Sequence, residues 1–140
     1  MKSITRTLIV LVIAITGLAS CSKDEPDGLW PKMKWNAPQN LVEENGIFIV
    51  PAEGGEYTFE CTNYSGVWLS LIEDNGEIVY PAADHEGFHS YMGKGFGVNC
   101  DHNHVKVSFA PLDASTESRS LTVDVTAGDI FYAFRFTQRR

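Results

Sequence analysis

From residue 46 onward, the strongest constraint on this chain is a two-residue alternation of apolar and polar side chains. Tyr57, Phe59 and Cys61 alternate with Glu56, Thr58, Glu60 and Thr62, and Val105, Val107 and Phe109 alternate with Lys106 and Ser108. Leu121, Val123 and Val125 alternate with Thr122, Asp124 and Thr126, and Ile130, Tyr132, Phe134 and Phe136 with Phe131, Ala133 and Arg135. Side chains along an extended strand point to opposite faces in turn, so this period builds half-buried strands; an amphipathic helix needs a repeat of about 3.6 residues instead. Shorter apolar runs at 47–50, 67–72 and 78–80 lie between turn signals at Glu53-Gly54-Gly55, Asn63 to Gly66 and Asp74-Asn75-Gly76. Ala127-Gly128-Asp129 offers a hairpin between the last two strands. About seven strands and no convincing helix predict an all-β fold, an immunoglobulin-like β-sandwich.

The chain has 140 residues, 44% of them hydrophobic and 21% charged, which suits one packed domain and no long disordered tail. Its formal charge of -7 argues against a nucleic-acid partner, because such binding draws on Lys and Arg neutralising phosphates.

Lys2 and Arg6 precede an apolar run from Leu8 to Leu18 that is too short to span the roughly 30 Å of a bilayer's hydrocarbon. Residues 1–20 read as a cleaved signal peptide. Leu18-Ala19-Ser20-Cys21 resembles the lipobox of bacterial lipoproteins, which makes Cys21 the lipidated first residue of the mature chain. Loss of Lys2 and Arg6 leaves 9 basic against 18 acidic groups, a net of -9. Acyl chains contribute about 0.8 kcal/mol per buried methylene, enough to hold a domain on a membrane without a spanning helix. Ser22-Lys23-Asp24-Glu25 resembles the surface-export signal of lipoproteins from the Bacteroidota, implying the outer membrane and the cell surface. Pro26, Gly28, Pro31 and Pro38 suggest that residues 21–45 form an extended tether, in which Trp30 and Trp35 could pack back on the domain.

Several landmarks of the strand region recur in a known family. Gly54-Gly55, Asn63 with Trp68 five residues on, Ser115 to Arg119 leading into Leu121-Thr122-Val123, and the closing Phe136-Thr137-Gln138 together resemble the BACON domain of Bacteroidota. The resemblance spans residues 46–138. It implies an immunoglobulin-like sandwich, a core position for Trp68, and carbohydrate or mucin binding, often beside glycan-degrading enzymes. Arg139 follows Gln138 where the family usually has Gly.

Residues 81–104 stand out as one long insert loop, since connections beyond about 12 to 15 residues usually carry function. All four histidines, His85, His89, His102 and His104, fall there. His85-Glu86-Gly87-Phe88-His89 has the spacing of zinc proteases, but that chemistry needs both imidazoles on one helical face, and Gly87, Gly93, Gly95 and Gly97 argue against a helix. The longer metzincin pattern fails at Met92 and Gly95. The histidines, with Cys100 and Asp101 beside them, are therefore read either as ligands of a non-catalytic zinc or copper site or as solvated loop residues. Cys61 and Cys100 remain once Cys21 is lipidated; they form a disulfide or stay as buried thiols.

Phe88, Tyr91 and Phe96 are interleaved with glycines, so they either offer aromatic faces for sugar rings, with Asn99 and Asp101 accepting hydroxyl hydrogen bonds, or pin the insert to the sandwich. The expectation is a non-catalytic lipoprotein module that binds glycans or mucin. The competing expectation is a structural subunit or one that docks to another outer-membrane protein, and a metal-binding protein or metalloprotease acting through the His85-Glu86-x-x-His89 cluster is the third.

Overall fold

The computed structural model describes residues 29–83 and 89–140. Eleven strands form two sheets, and among the described residues there is no helix. They are β1 (Trp35–Asn36), β2 (Val42–Glu44), β3 (Ile47–Pro51), β4 (Gly55–Cys61), β5 (Trp68–Asp74) and β6 (Glu77–Val79), followed by β7 (Ser90–Gly93), β8 (Phe96–Asp101), β9 (His104–Phe109), β10 (Ser118–Thr126) and β11 (Phe131–Arg139). Sheet A has the order β1-β4-β9-β8-β7 and sheet B the order β2-β3-β11-β10-β5-β6. Every pairing is antiparallel except β3 with β11. The central orders β1-β4-β9-β8 and β11-β10-β5 are those of an immunoglobulin-like sandwich, as the alternation predicted.

Alternation dictates the core. Phe59 of β4, Phe48 of β3 and Phe134 and Phe136 of β11 meet between the sheets, with Phe59 4.5 Å from Phe134 and 5.0 Å from Phe48. Offset ring pairs of this kind contribute about 0.5–1.5 kcal/mol each beyond their area burial. Asn45-Gly46 and Asn75-Gly76 both have positive φ and close the two-residue hairpins β2–β3 and β5–β6, the turn whose twist matches flanking strands. Arg119 of β10 ties the sheets at one end, donating to the carbonyls of Gly95 (2.9 Å) and Lys94 (2.8 Å) in the β7–β8 turn.

The structure corrects the sequence reading in three places and decides between its alternatives in a fourth. The domain does not begin at residue 46. Met33 and Leu41 are buried, Trp35 packs edge-on to Phe134 at 4.7 Å, and β1 and β2 join both sheets. Asn63 holds this arm by accepting from Lys34 N (2.9 Å) and donating to Lys32 O (2.9 Å), so residues 31–45 belong to the sandwich and are not tether.

Second, 81–104 is not one long loop. Phe96, Val98 and Cys100 alternate inward along β8, and β7 and β8 extend sheet A beyond β9. Gly93 and Gly97 hide this pattern from a sequence reading because glycine is depleted in strands.

Third, Trp68 is not a core residue; it is 38% exposed. The β5–β10 register shifts between Asp124 and Val125, placing an extra residue, Ser70, in β5. Leu69 and Ile72 therefore both face inward, and Trp68 is turned outward.

Fourth, Cys61 and Cys100 are free, buried thiols. They lie on β4 and β8, which flank β9, so two strand spacings of about 4.8 Å separate them, beyond the roughly 7 Å that a disulfide can bridge.

Candidate functional site

The residues expected to bind a ligand divide between the two sides of sheet A. Phe96 is buried, and the Tyr91 ring lies half-buried 5.9 Å from it, so these aromatics anchor the β7–β8 hairpin to the core and present no sugar platform. Gly93 lies directly against the Phe96 ring, where a side chain would clash. Asn99 and Asp101 alternate with the inward residues of β8 and stand exposed on the outer face. Phe88, His85 and Glu86 fall outside the described residues, as does Cys21.

On that outer face the antiparallel register sets rows of side chains across the strands. Asn99 is opposite Lys106, Gly97 opposite Ser108, and Ser108 opposite Glu56. Gly97 lets Met92 and Ser108 pack down on the sheet: a Cβ there would lie 2.7 Å from Met92 Sδ and 2.9 Å from Ser108 Oγ. Beside them runs a shallow groove of about 280 Å³ lined by Glu56, Ser90, Met92, Asn99, Lys106 and Ser108. It continues past Met92 toward Gly55 and Glu53. Lys106 Nζ is 3.1 Å from Glu56 Oε1, and both side chains are about half exposed. An exposed pair of this kind contributes about 0–1 kcal/mol, so a ligand can part it at little cost. The groove thus offers an ammonium, a carboxylate, an amide and hydroxyls beside one apolar thioether.

The three described histidines lie toward one end of sheet A. His104 of β9 lies opposite Glu60 on one side and Asp101 on the other. His102 occupies the two-residue β8–β9 turn at φ +52°, a conformation in which histidine is enriched among non-glycine residues, and its Nδ1 is 2.6 Å from Asp101 Oδ1. His89 precedes β7, and its carbonyl accepts from Cys100 N at 2.6 Å. Among the described residues no three His, Cys, Asp or Glu side chains gather as a metal site would require. Burial pushes the Cys100 thiol up to about 12, far from a nucleophile's range.

Alternation alone puts Glu56, Lys106 and Ser108 on the outside of their strands. It cannot say that β8 lies beside β9, and that neighbour makes them groove residues.

The fold defines an immunoglobulin-like β-sandwich. No model of a known protein family matches the chain, and no curated protein does. A solved structure described as the NMR structure of the protein from Bacteroides thetaiotaomicron is similar to it, with 33% identity and a TM-score of 0.69 over 85% of this chain and 96% of that one. The chain belongs to the same family as that Bacteroides thetaiotaomicron protein. The matched share exceeds what residues 46–138 alone would supply, in keeping with an earlier domain start.

Proposed function

We propose that this protein is a non-catalytic binding module for glycans or mucin, lipid-anchored through Cys21 in the outer membrane and exposed at the cell surface. The observation that carries the reading is the groove beside Met92, where neutral and charged hydrogen-bonding groups flank one apolar side chain. A sugar presents this same mixture, with hydroxyls around a C–H face. The BACON-like sequence pattern and the lipobox-like Leu18-Ala19-Ser20-Cys21 support it independently.

The test is titration of a panel of mucin glycans and plant polysaccharides against the parent protein, Asn99→Ala, Lys106→Ala and Gly97→Ala. Saturable binding by the parent, weakened about tenfold or more by removal of one groove partner, is the expected result. Gly97→Ala displaces the flexible ends of Met92 and Ser108 that line the groove, so it too lowers affinity. Absence of binding across the panel sinks the reading. A second reading, a protein-docking subunit, is favoured by a separate observation: the exposed aromatics Trp68 and Phe131 on the outer face of sheet B.

A further inference from the structure

The outer face of sheet B bears a pattern that is complementary to itself. Strand register places Trp68 of β5, Thr126 of β10 and Phe131 of β11 in one row, and Leu71, Asp124 and Ala133 in the next. The third row reads Ile78, Glu73, Thr122 and Arg135 from β6 to β11. Ile47 extends it on β3, one residue before the Phe48 that pairs with Phe136. Trp68 is 38%, Phe131 62% and Ile78 54% exposed, so the first and third rows carry apolar side chains turned toward solvent beside their polar ones.

β10 is the midline of this pattern. A two-fold axis lying in a face-to-face contact, parallel to β10, exchanges the β11 side of one copy with the β5 side of the other. Trp68 then faces Phe131, Leu71 faces Ala133, Glu73 faces Arg135 and Ile78 faces Ile47, each twice, as an isologous contact requires. Aromatic meets aromatic, cation meets anion, and no row mismatches. From these rows we propose that the chain forms a symmetric dimer through the outer face of sheet B, its partner a second copy of itself.

Five strands at about 4.8 Å and about 20 Å along them cover about 500 Å² per copy, so about 1,000 Å² in the pair, the lower edge of specific interfaces. The dimer is therefore expected to be of micromolar affinity, with both sheet A grooves left open on its outside, able to engage one polymeric ligand together.

Asp124 lies on the axis. Its Oδ1 is buried without a hydrogen-bond partner, and the charged groups near it are Glu73 from β5 and Arg135 from β11, with Thr122 and Thr126 on its own strand. Burial raises its pKa, Arg135 opposes the shift and Glu73 adds to it. Two such carboxyls meeting on the axis share a proton in preference to both ionising. Dimerisation then takes up protons and tightens as pH falls.

The experiment is sedimentation of the full chain in mild detergent across concentration and pH, with Glu73→Arg, Arg135→Glu, their equimolar mixture and Asp124→Asn. Each single swap opposes like charges twice and is expected to weaken the dimer about tenfold or more. The mixture restores it, because the carboxylate introduced at position 135 of one chain then faces the guanidinium introduced at position 73 of the other. Asp124→Asn dimerises with no dependence on pH between about 5 and 8. A parent that stays monomeric at hundreds of micromolar overturns the proposal and leaves the face to a different protein. So do single swaps that dimerise unchanged, or a mixture that does not recover.

Discussion

Gln138 gives the sharpest test of how the sandwich is held closed. It is fully buried near the end of β11, the one polar residue of the buried set among the described residues. Its Nε2 donates to Ala110 O at 2.8 Å and more weakly to Ala52 O (3.3 Å) and Pro51 O (3.4 Å), tying β11 to the ends of β3 and β9. Ala52 O and Pro51 O already accept from Leu112 N (2.8 Å) and Gly54 N (2.9 Å), so the bond to Ala110 is the one the amide alone supplies. Its Oε1, in contrast, is buried without a partner. Gln138→Leu keeps the volume, orphans Ala110 O at a cost of about 1–3 kcal/mol, and removes the orphaned Oε1, recovering a similar desolvation penalty; the net cost is about 1 kcal/mol or less. Gln138→Ala removes the same groups and adds a cavity, for about 2–4 kcal/mol. Gln138→Glu puts a carboxylate against two or three carbonyls and costs more than either. Urea unfolding, with the slope unchanged and the midpoint shifted, reads all three. A loss of about 3 kcal/mol for Gln138→Leu would refute the reasoning, because it would show that the donor to Ala110 dominates and the orphaned oxygen carries no penalty.

Two further outcomes follow from the core. Native protein is expected to leave Cys61 and Cys100 unreacted with a thiol reagent and to release both on unfolding, and a reductant is expected not to shift the melting temperature; a shift would reveal a bond. Met33→Ala is expected to cost about 2–4 kcal/mol and limited proteolysis to stop short of Met33, where a tether reading has both effects absent and trimming to about residue 40.

The alternation made β4, β9, β10 and β11 legible because each is one-sided and long enough to show its period. It could not show β1 and β2. Those strands have two and three residues, β2 is exposed throughout, and both exist because distant strands supply their hydrogen-bond partners. In β8 the period was present in Phe96, Val98 and Cys100, but the glycines around it are also the signature of a loop. Their reasons differ: Gly95 provides the positive φ of the turn, while Gly97 makes room for Met92 and Ser108. Trp68 was misplaced by a single residue. Counting in twos from Ile72 puts 70 and 68 inside, and only the bulge opposite Asp124 and Val125 reverses the face.

The candidate sites were less legible for a reason built into half-buried strands. The inward set must be apolar, so its pattern reports the fold; the outward set is free to vary, so ligand chemistry is written there without periodicity. The unusual residues clustered in their segment single out Asn99 and Asp101, of which Asn99 lines the groove, while Glu56, Lys106 and Ser108 have the pattern of ordinary solvated positions. Glu73, Thr122 and Arg135 are about 50 and 13 residues apart in the chain, yet register sets them side by side. A row of that kind exists only once the neighbours of each strand are known. The two outer faces then separate by chemistry, with sheet A polar around the groove beside Met92 and sheet B carrying exposed Trp68, Phe131 and Ile78 to either side of Asp124. On the two proposals above, a ligand rich in hydroxyls occupies the first and a second copy of the chain the second, so that one small domain would bind outward and associate with its own kind without the two surfaces competing.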